Sequence, residues 1–110
     1  MMYKGVEIPL PRLEQLGSGY FCTPSGCYCA VGWVLKCCGV QLYPGQTTIS
    51  GLGYLPPAFQ IEATEELKYL DGRIRRACLN KDEGTVPAII ASAITLLERI
   101  DGELGKVGAV

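Results

Sequence analysis

The chain has 110 residues, the usual length of one globular domain, and its hydrophobic fraction of 48% and charged fraction of 19% are close to globular averages. Ten basic and eleven acidic residues leave a formal net charge of -1, so no overall positive field attracts nucleic acid or an anionic membrane. The chain has no histidine, which excludes a Cys-His or Ser-His-Asp hydrolase within it and any zinc site that uses histidine.

The first predicted element is a short helix over residues 11–17. It rests on three leucines at helical spacing that follow two prolines and precede a glycine: Leu10, Leu13 and Leu16. Residues 17–26 are rich in turn formers, which predicts a loop. At the end of that loop, Ser25 is the expected N-cap of the next helix.

The segment 27–38 reads CYCAVGWVLKCC and is apolar on nearly every side. This pattern predicts a buried central helix over about 26–38 that ends with a left-handed cap at Gly39. A strand is the alternative for so short an apolar run, but its length and Gly32 favour a helix. The segment is too short to span a membrane, which takes about 20 residues.

Residues 39–57 carry four glycines and three prolines, so we expect a long loop, or a loop that holds one small β-hairpin with its turn at Pro44-Gly45. A loop of this length in a compact domain is more often functional than an average connection.

Two further helices are predicted after the loop. An apolar seam indicates a helix over about 63–79, with a break at Asp71-Gly72 left open. A last helix follows over 85–101, with Thr85 as its cap and Pro87 in its permissive first turn. Its apolar face consists of Ile89, Ile90, Ala93, Ile94, Leu97 and Ile100.

Four landmarks occur in a fixed order: CYCAVG at 27–32, LPP at 55–57, LNKDEG at 79–84, and a final amphipathic helix. This order resembles a family of small accessory proteins encoded by tailed bacteriophages and prophages, over about residues 19–100. The resemblance implies a protein that acts in the cytoplasm of an infected or lysogenic bacterium, and it implies no catalytic role.

The six cysteines allow two interpretations. Cys22, Cys27 and Cys29 are candidates for zinc ligands, but the chain lacks the two knuckles of C-x2-4-C spacing that a structural zinc site usually has. We therefore predict no metal and no cofactor. The interpretation that we favour is that four of the cysteines are small core hydrophobes in a reducing cytosol, namely Cys29, Cys37, Cys38 and Cys78.

A cysteine-dependent enzyme is a separate alternative. Cys27 or Cys29 near a helix N-terminus could have a lowered pKa and act as a nucleophile. Because no histidine can serve as its base, we expect a non-enzymatic protein.

The chain has one basic cluster, formed by arginines near position 75 and by Lys81. Together with polar and aromatic residues of the long loop it could hold an anionic ligand through guanidinium and backbone N–H groups. The alternative is a solvated helix face. The predicted ligand-binding residues are Arg73, Arg76, Lys81, Thr47, Thr48, Tyr43 and Tyr54.

We thus predict a single mainly α domain over 1–110, with an ordered core at about 8–101 and a flexible tail at 102–110. Its predicted function is that of a phage-type accessory binding protein that recognises a host protein or small anionic ligand through the 39–59 loop and the surface from Arg73 to Lys81. The alternatives are a nucleotide-sequestering anti-defence protein, a cysteine enzyme and a zinc-stabilised interaction module. We expect no membrane or duplex nucleic acid as partner, and a homo-oligomer stays open.

Overall fold

The structure is a computed structural model that describes residues 1–18, 21–24, 26–44 and 57–108. Its described part is mainly α with a small antiparallel sheet, as the sequence predicts. The elements in chain order are β1 (Met2–Tyr3), β2 (Val6–Glu7), α1 (Ala30–Cys37), α2 (Pro57–Asn80) and α3 (Val86–Gly108), with 3₁₀ turns at Leu13–Gln15 and Glu83–Thr85.

Strands β1 and β2 form a hairpin at the start of the chain. Its two turn residues, Lys4 and Gly5, have positive φ angles of 49° and 77°, the turn geometry that matches the twist of the flanking strands. The hairpin is fixed to α3, since the Tyr3 hydroxyl donates to Asp101 and the Lys4 ammonium lies 3.2 Å from the same carboxylate. The hairpin turn expected at Pro44-Gly45 lies partly outside the described residues.

The helix predicted over 11–17 is only a 3₁₀ turn at Leu13–Gln15. The backbone becomes extended at Leu16, where it pairs with Tyr28 in a parallel bridge. The Gly17 amide donates to the Tyr28 carbonyl at 2.9 Å, and the Tyr28 amide donates to the Gln15 carbonyl at 3.0 Å. Pairing with a distant segment therefore ends the turn before a helix can grow.

The same pairing explains why α1 begins at Ala30 and not near residue 26. Cys29 is the N-cap, and its sulfur accepts a hydrogen bond from the Gly32 amide at 3.3 Å. The predicted cap, Ser25, lies outside the described residues. The predicted end is confirmed, because Gly39 has a φ of 83° and the next amide donates back to the Leu35 carbonyl at 3.0 Å.

Helix α1 is the centre of the core. Six consecutive residues from Ala30 to Leu35 are buried, which confirms the predicted buried helix. Trp33 is 6% exposed, and its indole N–H donates to the Pro9 carbonyl at 2.8 Å. Gly32 lies against the backbone of Phe21, since a Cβ at position 32 would be 2.0 Å from the Phe21 carbonyl oxygen.

Helices α2 and α3 form an antiparallel pair that packs against α1. Helix α2 begins six residues before the predicted start and runs unbroken through Gly72. At one end of the two helices, Arg99 of α3 and Glu62 of α2 form an ion pair with an N–O distance of 3.1 Å. Helix α3 buries the predicted apolar face, and it continues to Gly108, beyond the predicted end at 101. The buried residues of this face are Ile89, Ile90, Ala93, Ile94, Leu97 and Ile100.

The connection between α2 and α3 is short and polar, as predicted for residues 80–84. Lys81 adopts a left-handed conformation with a φ of 52°, and the Asp82 amide donates back to the Ala77 carbonyl at 2.8 Å. Thr85 directly precedes Val86, the first residue of α3, and its hydroxyl donates to Asp82. Among the described residues, no helix is long and apolar enough to cross a membrane.

Candidate functional site

The predicted basic cluster forms a cleft where α2 turns into α3. Arg73 and Arg76 are three residues apart in α2 and therefore lie on one side of it. The cleft has a volume of about 240 Å³ and is completed by Ala77, Asn80, Asp82 and Thr85. We call this cavity the arginine cleft.

Arg73 is held in place by two neighbours. One of its terminal nitrogens lies 3.5 Å from the Ser92 hydroxyl on α3, and its guanidinium carbon lies 5.8 Å from the centre of the Tyr69 ring. Contact with an aromatic face leaves the edge of a guanidinium free for further hydrogen bonds. These two contacts limit the orientations that the Arg73 guanidinium can adopt.

Arg76 is exposed, and within the described ranges no carboxylate lies within ion-pair distance of it. The cleft also contains one acidic group, Asp82, which accepts the Thr85 hydroxyl. The C-terminus of α2 adds a partial negative charge and the nearby N-terminus of α3 a partial positive one, so the two dipoles offset each other. The positive character of the cleft thus comes from the two guanidinium groups.

The other predicted ligand-binding residues lie away from the cleft wall or outside the described residues. Lys81 is exposed in the adjoining turn and is not part of the cleft wall. Tyr43 is 63% exposed. Thr47, Thr48 and Tyr54 lie outside the described residues. Of the predicted set, the structure brings Arg73 and Arg76 together.

Of the two cysteines considered as a nucleophile in the enzyme alternative, Cys29 lies buried at the N-cap of α1. Its side chain is 4% exposed, and burial raises its pKa from 9.0 to about 12, although the Gly32 amide acts in the opposite direction. A thiol with this pKa stays protonated near neutral pH and is a poor nucleophile. Cys27 lies before the helix, half-buried, with its thiol 3.4 Å from the Glu14 carbonyl oxygen.

The cysteines do not form a recognisable metal centre in the described part of the chain. No group of three or more cysteine, aspartate or glutamate side chains that could hold an ion occurs there, and this covers the candidates Cys22, Cys27 and Cys29. All six cysteines are free thiols. Cys37 and Cys38 are half-buried, whereas the prediction of a core position for Cys78 is wrong because this side chain is exposed.

Sequence reasoning missed a second cavity, on the opposite side of α2. It has a volume of about 440 Å³, and its wall includes Leu16, Ile74, Cys78 and Leu79, with Arg75 at its edge. We call it the apolar groove. The sequence over 73–79 reads RIRRACL, and this local pattern does not reveal that a distant segment forms the other wall of the groove.

No protein-family model matches this chain, and no curated protein or solved structure matches it either. The resemblance to phage accessory proteins therefore stays a prediction, and the functional argument depends on the geometry of the chain itself.

Proposed function

We propose that this protein is a non-enzymatic binding protein that holds a small anionic ligand in the arginine cleft. The observation that carries the proposal is that two arginines, Arg73 and Arg76, line one concave space. Guanidinium forks bind phosphate and carboxylate groups through two parallel hydrogen bonds, so two of them can hold one anion.

The acidic group in the cleft narrows the choice of ligand. Asp82 repels a bare anion, but its carboxylate already accepts a hydroxyl hydrogen bond from Thr85. A ligand that carries hydroxyl groups beside its negative charge would satisfy both the arginines and Asp82. We therefore favour a sugar phosphate or the sugar-phosphate part of a nucleotide over inorganic phosphate.

A phage-type accessory role is the broader form of this proposal. A protein that sequesters a nucleotide messenger of host defence would need a site for the phosphate and ribose groups, and the arginine cleft supplies both kinds of contact. Recognition of a host protein is the alternative. The concave shape of the cleft favours the small ligand, because protein interfaces usually need about 800 Å² on each partner.

Titration of the isotope-labelled protein with ribose 5-phosphate, followed by NMR, tests the proposal. We expect the amide signals of residues 73–85 to shift, more strongly than with inorganic phosphate, and to shift less at high salt because screening weakens the ionic contacts. Native mass spectrometry of the protein expressed in bacteria would identify a ligand that stays bound.

Two variants locate the binding. Arg76→Gln, at an exposed position, should weaken the binding of ribose 5-phosphate about tenfold or more, since a hydrogen bond to a charged group contributes about 1.5–3 kcal/mol. Arg73→Gln should act similarly, with its thermal unfolding measured to verify the fold. Lys68→Gln, an exposed cation on the same helix, is the matched control. Equal affinity of Arg76→Gln and the wild type would overturn the proposal.

A further inference from the structure

The apolar groove lies between residues 16–18, which follow the first 3₁₀ turn, and the C-terminal half of α2. Its volume of about 440 Å³ falls at the lower end of the range for small-molecule sites, and its wall is mostly apolar. Successive residues of an α-helix are about 100° apart, so Ile74 and Cys78 lie on a different side of α2 from Arg73 and Arg76. The groove and the arginine cleft are therefore separate sites on opposite sides of one helix.

One charged group marks the edge of the groove. The Nε of Arg75 donates to the hydroxyl of Ser18 at 3.1 Å, and both residues line the groove. No carboxylate in the described part of the chain pairs with Arg75. The two terminal nitrogens are left to bind a planar anion from the side that Ser18 does not occupy.

The apolar part of the groove is open to water. Leu79 is 82% exposed, the highest value among the large hydrophobic residues of the described chain. The neighbouring Cys78 is exposed as well, and its thiol is 3.9 Å from the Leu13 carbonyl oxygen. A concave apolar surface with such an uncovered rim gains free energy when another apolar group covers it.

We propose that the apolar groove binds a small amphipathic carboxylate. The apolar chain lies over Ile74 and Leu79, and the carboxylate accepts two hydrogen bonds from the terminal nitrogens of Arg75. A carboxylate fits better than a phosphate, because the groove offers one guanidinium group and little else that could satisfy a second negative charge. The concave volume fits a free small molecule more closely than it fits the flat contact area of a protein partner.

The exposed thiol of Cys78 supplies a reporter for this site. Octanoate is the probe, and the rate of Cys78 alkylation is measured by mass spectrometry of the digested protein. We expect saturating octanoate to slow alkylation of Cys78 at least threefold and to leave the rate at the half-buried Cys37 unchanged. NMR shifts of the Gly17 and Ser18 amides provide a second readout that does not depend on thiol reactivity.

Variants and a neutral analogue test each part of the proposal. Arg75→Gln, at an exposed position, should lose most of the protection by octanoate, whereas the control Lys68→Gln should keep it. Octanamide, which has the same chain without the charge, should protect Cys78 at least fivefold less effectively than octanoate. The proposal is overturned if octanoate neither protects Cys78 nor shifts the two amides, or if octanamide and Arg75→Gln behave like octanoate and the wild type.

Discussion

Gly32 shows how one missing side chain lets two segments touch. The backbone of Phe21 crosses α1 at this position, and a Cβ added to Gly32 would lie 2.0 Å from the Phe21 carbonyl oxygen, far below van der Waals contact. Neither segment can move easily, because Phe21 and the neighbours of Gly32 in α1 are all buried. The glycine therefore sets the spacing between α1 and the preceding loop.

Substitution of Gly32 by alanine should be severely destabilising. We expect Gly32→Ala to lower the free energy of unfolding by about 3 kcal/mol or more, because overpacking against backbone is at the upper end of such costs. Denaturant unfolding followed by circular dichroism measures the change. An alanine variant as stable as the wild type would show that α1 and the Phe21 backbone are farther apart than in the structure.

Lys81, at the end of α2, has an unfavourable backbone conformation with a positive φ angle. A residue with a side chain is strained in the left-handed conformation that this cap requires, whereas glycine is not. We expect Lys81→Gly to raise the free energy of unfolding by about 0.5–1 kcal/mol. Lys81→Ala, which removes the charge but keeps the Cβ, is the control and should give no such gain in the same denaturant titration.

At the scale of the elements, apolar faces in the sequence predict where helices occur. The ends of a helix are predicted wrongly where contacts with distant segments determine them. The face of α3 was predictable because its apolar residues follow a helical period without interruption. The end of the first 3₁₀ turn was not, because it depends on pairing between Leu16 and Tyr28, twelve residues apart. The same pairing moves the start of α1 from about 26 to Ala30.

The sequence of α2 leaves open whether the helix breaks at Asp71-Gly72, and a substitution at Gly72 can test this. In the structure the helix passes through Gly72, and a Cβ added there would meet no atom within 4 Å. Gly72→Ala should therefore raise the free energy of unfolding by about 0.5–1 kcal/mol, the usual gain for alanine over glycine inside a helix.

Gly5, in the hairpin turn, is the matched control for that gain. Its Cβ would also meet no atom within 4 Å, but its φ is 77°, so Gly5→Ala should lower stability. A loss of stability in Gly72→Ala, measured by thermal or denaturant unfolding, would favour a broken helix over a continuous one.

At the scale of the whole molecule, the first hairpin and the last helix are joined through Tyr3 and Asp101. Burial and the neighbouring carboxylate raise the pKa of the Tyr3 hydroxyl above its usual value of 10.0. A group whose pKa is raised on folding contributes stability that is complete below its unfolded pKa and is lost as the pH rises toward its folded pKa. The pKa of the Cys29 thiol is also raised on folding, from 9.0 to about 12, so this group changes the stability in the same direction.

The protein should therefore lose stability in alkaline solution. We expect the free energy of unfolding to fall from about pH 9 upward, first because the Cys29 thiol ionises in the unfolded chain and, from about pH 10, because the Tyr3 hydroxyl does so as well. Tyr3→Phe should be less stable than the wild type at neutral pH, and its stability should fall less steeply above about pH 10. Denaturant titrations at several pH values measure both slopes, and parallel slopes for the two proteins would contradict the role of Tyr3.

The two candidate sites also differ in how far the sequence predicts them, because one depends on neighbouring residues and the other on contact between distant segments. Arg73 and Arg76 were predictable as a pair because they lie within one helical turn. The position of Arg75 was not, because it is set by Ser18, a residue 57 positions earlier in the chain. Local charge patterns thus indicate which side chains are available, whereas cavities depend on which segments meet.

The burial of α1 has a consequence for how the protein is made. Its six consecutive buried residues pack against α2 and α3, which both follow it in the chain and leave the ribosome later. Until they emerge, only the preceding segment, which contacts α1 at Pro9 and Phe21, can cover part of it, so the nascent chain displays the apolar surface that α2 and α3 cover later. Chaperones that recognise such segments are expected to engage the first half of the nascent polypeptide and to release it once α3 has been translated.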